Sequence, residues 1–433
     1  MGPKIFRMLA RLFAVAAVIA AQSGCSRQDE GLGNALKAVH QTTITALVWA
    51  PDWTDEMQQM ASEFTQLNPQ IRVEVQFMIG NSVEENIKPK VASHKLPDIL
   101  SVNPNAYAAD LADQGLLADV GTSPVWDNML DGLKADWTTQ EGKRYGISGG
   151  VAATLMYYNQ DQFKRAGIVA LPTNFDEFVL VCERLKKAGL TPLMWNGGFP
   201  NMLGNGPFSF GFANNVVALH PNWKQGIGDG SLNLNTREAA DIFAKIKLIA
   251  QRGYVQKGYM STNYADGIKL FTQGKTAMAF HGTWAAGLLM HGHGFKTGVF
   301  IPPWNAAGKS VVPVIGSETG FAVSETANKE AAFRFLEFMF GKGFSIYQNK
   351  RQNIPPLKQV QGKVVADPQI MQYIKTVQQF PVTASPYYSF LPASTIELLH
   401  SLMQDVLVDR STPRQAARAF DESIKSEARR HNK

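Results

Sequence analysis

The chain of 433 residues is 45% hydrophobic and 18% charged, which is enough apolar material for two or three domains with a large buried core and excludes a fibrous or disordered protein. Its formal charge is +6, but Lys4, Arg7 and Arg11 precede any acidic residue, so a chain beginning at Cys25 carries three charges fewer, too weak and dispersed a balance for nucleic-acid binding. Cys25 and Cys182 are the 2 cysteines, which excludes a disulfide framework and leaves stability to the core.

The three basic residues and the apolar run Leu12 to Ala21 form a leader too short to span a bilayer and suited to a cleaved export signal over residues 1–24. Export to the periplasm or cell envelope is therefore expected. Ser23-Gly24-Cys25 resembles the end of a lipobox, which makes Cys25 a lipidation candidate and the protein a membrane-anchored lipoprotein, although Gln22 stands where an aliphatic residue is usual. Ala21-Gln22-Ser23 offers an ordinary small-x-small cleavage site instead. Residues 25–41 are polar and without period, as a tether would be.

Ordered structure is expected from Thr42. Ile44 to Trp49 reads as a buried strand, Pro51-Asp52 breaks it, and Met57, Met60, Ala61, Phe64 and Leu67 recur at helical spacing behind a Thr54 or Asp52 cap. Asn68-Pro69 stops that helix, and Ile71 to Phe77 alternates as a strand. A helix over Val83 to Ser93, a strand over Leu96 to Val102 and a helix from Tyr107 to Gln114 repeat the form. Strands separated by helices of this length imply an α/β protein with a mostly parallel, doubly wound sheet.

Tyr145 to Asn159 has a glycine-containing entry and an apolar strand, followed by a helix stopped at Gly167 and another opened near Phe175. Cys182 falls in apolar helical context, a small buried hydrophobe rather than a nucleophile. Pro192 to Pro207 is dense in Gly, Pro and Asn and carries Trp195 and Asn196 after a short strand; it suits a binding rim or a plain connection. Phe271 to Trp284 reads as a helix end turning at Gly274 into the strand Ala277 to Phe280, with Gly282 releasing the chain and Trp284 at the strand exit. Gly298 to Trp304, Val311 to Ile315 and Gly316 to Val323 are further strands. Helix with proline-rich interruptions, in which Tyr387 and Tyr388 lie, fills the remainder.

The stretch from Phe271 to Trp284 matches every fixed position of the F-x-x-G-x-x-A-M-x-x-x-G-x-W signature, and so resembles the extracellular solute-binding proteins of sugar ABC importers, the maltose-binding-protein-like family. Asn68 to Val75, Leu96 to Ile99, Tyr145 to Phe178 (with Phe175 in the usual Trp place) and the return stretch with Gly316-Ser317 for Gly-Gly resemble the same family, in the expected order. The resemblance implies two α/β lobes with mostly parallel sheets, joined by a hinge and holding ligand between them: residues 42–149 and 306–342 in the first, 150–305 and 343–433 in the second. It implies crossings near 149, 305 and 343, with Ser148-Gly149-Gly150 as a hinge candidate. It also implies a monomer without cofactor that captures a carbohydrate and presents it to the membrane permease of an ABC importer.

In an open α/β sheet, ligands bind at the carboxyl ends of strands. That places Trp49, Asp52, Asn103, Tyr107 and Glu318 at one edge of the first lobe, faced by Trp195, Asn196 and Trp284 from the second. Two other readings are carried: a binding protein for a phosphorylated or charged solute such as a glycerol phosphodiester or polyamine, and a secreted carbohydrate-active enzyme. The enzyme needs a converging carboxylate pair, for which Asp52, Asp55, Glu84, Glu85, Asp98 and Glu318 are available, but sequence spacing favours no pair and no catalytic motif is present. His291 and His293 around one glycine, with His281 ten residues earlier, lack the spacing of a zinc site, and the pair reads as a loop.

Overall fold

The computed structural model describes residues 41–80, 82–362 and 366–431, so the leader, Cys25 and nearly all of the tether lie outside the described residues. Residues from Gln41 onward form one compact unit containing two sheets.

The first sheet runs in the order β2-β1-β3-β9, with the edge strand β9 (Gly320–Val323) antiparallel to β3. Strand β1 (Thr42–Val48) pairs in parallel along its whole length with β2 (Ile71–Phe77), and β3 (Ile99–Val102) pairs in parallel on its other side. Helix α1 (Thr54–Leu67) covers this sheet because Met57, Met60, Ala61 and Phe64 fall on one face and are buried, whereas Leu67, past the end of the apolar stripe, is 60% exposed. Neither expected residue caps α1: Trp53 holds that position without a side-chain bond, and Asp52 is used elsewhere. Helix α2 (Val83–Ala92) starts at Ser82, whose hydroxyl accepts from the Glu85 amide, and α3 (Ala106–Asp113) starts at Asn105, which accepts from the Ala108 amide. Strand β3 begins three residues later than expected because the Asp98 amide turns to the Thr45 hydroxyl at 3.2 Å instead of to a strand carbonyl. The Asp98 carboxylate accepts from the Thr45 amide at 2.8 Å and from the Thr326 hydroxyl at 2.6 Å, tying β1 to the segment that follows β9.

The second sheet is built around β4 (Val151–Asn159), with β5 (Leu193–Met194) and β6 (Met278–Gly282) on one side and β7 (Thr297–Phe300) on the other, and with β8 (Ile315–Ser317) against the start of β4. Here the expectation of a mostly parallel sheet fails. Only β5 and β6 are parallel; β4 runs antiparallel to β6, β7 and β8. An uninterrupted apolar strand is the mark of burial on both faces, and burial alone does not set strand direction. Val151, Ala153, Leu155 and Tyr157 pack into one core and Met156 into the other, so β4 is buried between two layers. Cys182 is fully buried in the second core, and burial pushes its thiol well above the usual range.

The chain enters the second sheet through Ser148-Gly149-Gly150 and passes from β8 to β9 (Gly320–Val323) through Glu318-Thr319. These two passages lie against each other, with the Glu318 amide donating to the Gly150 carbonyl at 3.1 Å. Both glycines are required by close approach: a Cβ on Gly149 would stand 2.5 Å from the Thr319 carbonyl oxygen, and one on Gly150 would stand 2.5 Å from the Asn353 amide nitrogen. The helix Lys329–Phe340 buries Phe335 and Leu336 in the core beneath the first sheet, and the helix Phe344–Arg351 packs on α1. The helices Arg237–Gln251, Ala393–Leu407 and Pro413–His431 pack on one another around the second core.

Candidate binding cleft

The carboxyl ends of β1 and β3 open onto a cavity of about 100 Å³ that lies between the two sheets. From the first sheet it receives Trp49, Asp52 and Trp53 after β1, Glu84 at the start of α2, Asn103 after β3, and Glu318 from the passage into β9. Ser101 holds the rim by accepting from the Trp49 amide at 3.0 Å. The facing wall consists of Phe199 and Asn205 from the turn-rich stretch, Tyr264 at the first residue of the helix Tyr264–Thr272, Trp284 beyond β6, and Tyr387 and Tyr388.

The walls touch. Trp49 and Phe199 stack with centroids 6.3 Å apart and ring planes 19° from parallel, Phe199 meets Tyr264 edge-on at 5.6 Å, and the Tyr264 hydroxyl donates to Asp52 at 3.2 Å. Below them, Arg351 pairs with Glu318 at 2.9 Å and donates to the Tyr347 hydroxyl; Asn353 donates to the other Glu318 oxygen at 2.7 Å. Burial pushes the carboxyls of Glu318 and Asp52 upward, and the Arg351 charge pulls both back. Glu84 is buried on three neutral donors, the Ser82 hydroxyl at 3.2 Å and the amides of Asn103 at 2.9 Å and Asn105 at 2.8 Å.

Of the eight residues expected at the site, Trp49, Asp52, Asn103, Trp284 and Glu318 line the cavity, while Tyr107, Trp195 and Asn196 do not. Tyr107 lies half-buried on α3, its phenol pushed up to about 12 by burial and by the nearby Glu84 charge. Trp195 is buried in the second core, and its backbone is clamped by the Gln256 amide. The Asn196 side chain donates to the Asn263 carbonyl at 2.6 Å, stapling the start of the helix that carries Tyr264. Because β5 is only two residues long, the chain is still inside the lobe at Trp195 and reaches the cleft at Phe199. Arg351, Tyr264, Tyr387 and Tyr388 were not expected at the site; the local pattern of the three tyrosines does not separate them from core residues, and that of Arg351 is the basic end of a helix. Glu84 figured only among the enzyme carboxylates.

The residues 50–344 match the family model described as bacterial extracellular solute-binding protein. The chain belongs to this family. A binding protein of Brucella abortus is 25% identical over 283 residues, covering 61% of this chain and 64% of that protein, so the solute-binding protein described here spans less than two thirds of that relative's length. The multiple sugar-binding protein of Streptococcus mutans is 23% identical over 294 residues, covering 65% of this chain and 67% of its own. Among solved structures, the solute-binding protein RafE in complex with raffinose superposes with a TM-score of 0.76 at 20% identity, covering 89% of this chain and 99% of that one, a likeness of fold.

Within the family signature, Gly282 of this binding protein is needed because the Trp284 ring lies over it. Its φ of −97° suits any residue, yet a Cβ there would stand 2.0 Å from Cζ3 of the indole. Gly282→Ala is therefore expected to displace the ring and weaken ligand binding by about threefold to tenfold, part of the effect of losing the aromatic face itself. Calorimetry beside tryptophan emission checks this; unchanged affinity with a shifted emission would mean that the ring position is irrelevant to the ligand. Behind Trp284, His281 is fully buried and kept neutral, its pKa lowered to about 3 by burial. His291 pairs with Asp367 at 2.9 Å, and His293 stacks on Phe295 at 4.0 Å.

Proposed function

We propose that this solute-binding protein captures a mono- or oligosaccharide outside the cytoplasmic membrane and delivers it to an ABC importer permease by closing its two lobes. The observation that carries the reading is the pairing of aromatic faces with hydrogen-bonding groups on both walls of one cleft. Trp49, Phe199, Tyr264 and Trp284 suit the apolar faces of a pyranose, while Asp52, Glu84, Asn103 and Asn205 suit its hydroxyls. The sugar-binding relative and the raffinose-bound neighbour support it. As it stands the cleft, at about 100 Å³, is smaller than the roughly 300 Å³ of a small-molecule site, so the solute enters by separating the lobes and takes the place of Phe199 against Trp49. The adjoining passages at Ser148-Gly149-Gly150 and Glu318-Thr319 serve as the hinge, with β8 grouped with the second lobe and the helix Phe344–Arg351 with the first.

A thermal-shift screen across neutral sugars, sugar phosphates, glycerol phosphodiesters and polyamines tests the solute class. A sugar is expected to raise the melting temperature most; stabilisation by a phosphodiester or polyamine alone would overturn the reading. Turnover of chromogenic glycosides would replace it with an enzyme.

Anchoring by Cys25 belongs to the same proposal. No helix among the described residues is long and apolar enough to cross a membrane. Since each buried CH₂ of an acyl chain contributes about 0.8 kcal/mol, Cys25→Ser is expected to move the protein from the membrane fraction to the soluble envelope fraction. Wild type already in the soluble fraction would show that Gln22 has spoiled the lipobox.

A further inference from the structure

We propose that Glu84 selects a sugar bearing a protonated amine, which rests on the carbohydrate reading above. Three carboxylates, Asp52, Glu84 and Glu318, line the cleft, and Arg351 is the one cation among the described lining residues. The Arg351 guanidinium is already engaged by Glu318 at 2.9 Å, by the Tyr347 hydroxyl and by the Trp284 carbonyl at 3.4 Å. Glu84, 2% exposed, has no ion-pair partner among the described residues. Its first-turn place on α2 is one that favours a negative charge, and the carboxyl stands buried with neutral donors around it and no counter-charge among the described residues.

It is also held rigidly. Asn103, one of its donors, accepts from the Thr319 hydroxyl at 2.6 Å, and Asn105, another, caps α3 through the Ala108 amide at 3.1 Å. The opposite wall adds an acceptor without a donor: Asn205 is 8% exposed, and its Oδ1 has no partner among the described residues. Asn205 sits on the π-helical turn Gly204–Phe208, a widened helix geometry common at functional sites. A hydroxyl supplies one donor and brings lone pairs of its own. An ammonium supplies three donors, no acceptor and the missing positive charge. A uronate or sugar phosphate would bring another acidic group where the one described lining cation, Arg351, is already engaged.

The test is calorimetry with four oligosaccharides of equal length and linkage, built from glucosamine, N-acetylglucosamine, glucose and glucuronate. Glucosamine is expected to bind at least about tenfold more tightly than glucose, as a charge-assisted bond exceeds a neutral one, and glucuronate not to bind. Glu84→Gln keeps an acceptor toward Asn103 and Asn105, and the Ser82 hydroxyl can turn to accept from its amide, so the melting temperature should hold while the preference falls to about threefold or less. Equal or tighter binding of glucose or N-acetylglucosamine by the wild type overturns the proposal and leaves the carbohydrate reading intact. An amine preference that survives Glu84→Gln also overturns it. Failure of all four overturns both.

Discussion

Arg351→Met is expected to destabilise the folded protein by about 3 to 5 kcal/mol, because it leaves buried carboxylates without their cation. Arg351 is 9% exposed and pairs with Glu318, which is itself buried; its charge also acts on Asp52. Burial already holds both carboxyls above their ordinary values, and removing the cation that opposes burial raises them further. A carboxyl with a raised folded pKa binds its proton more tightly in the folded state. It therefore favours folding below its unfolded pKa of about 4, and that stability is lost as pH rises through the folded value. The gap in melting temperature between wild type and Arg351→Met should narrow as pH falls from about 7 toward 5. Glu318→Gln in the same chain should recover part of the loss at neutral pH by removing one stranded charge. A single variant melting within about a degree of wild type at pH 7 would show that water, not the guanidinium, compensates these carboxylates.

Trp284→Ala carries the largest expected effect on binding, a loss of about 1 to 3 kcal/mol, roughly fivefold to 150-fold in affinity. The indole lines the cavity, is only partly buried, and meets the neutral His281 edge-on at 5.8 Å. Its removal deletes a face for the sugar ring without opening a hole in the centre of the core, so cooperative unfolding should be retained. Titration of the sugar that stabilises the wild type most is the measurement. Wild-type affinity in Trp284→Ala would return the residue to a packing role, and a lost melting transition would do the same.

The largest of these effects differ in how visible their residues are in the chain. Trp284 announces itself, because a turn glycine, an apolar strand and a releasing glycine precede it in an unbroken local pattern. The β-α-β run from Thr42 to Val102 is equally local: helix and strand periods are written in consecutive residues, and the strand ends that carry Trp49, Asp52 and Asn103 follow from them. Arg351 is different. It closes a lysine- and arginine-ended helix that reads as a solvated terminus, and only the fold sets it against Glu318, 33 positions earlier by number, and beside Tyr347. Strand direction in the second sheet is likewise absent from the local pattern, since an apolar strand such as β4 looks the same beside parallel or antiparallel neighbours.

Asn196 and Phe199 show the limit most closely. The sequence by itself determines a turn-rich, amide-bearing loop after a short strand, because glycine, proline and asparagine act through their own backbone preferences. Which of its side chains faces the cleft was decided only in the tertiary structure, where Asn196 turns inward to the Asn263 carbonyl and Phe199 stacks on Trp49. The reason is that exposure depends on what packs against a residue, and those partners lie far away in the chain.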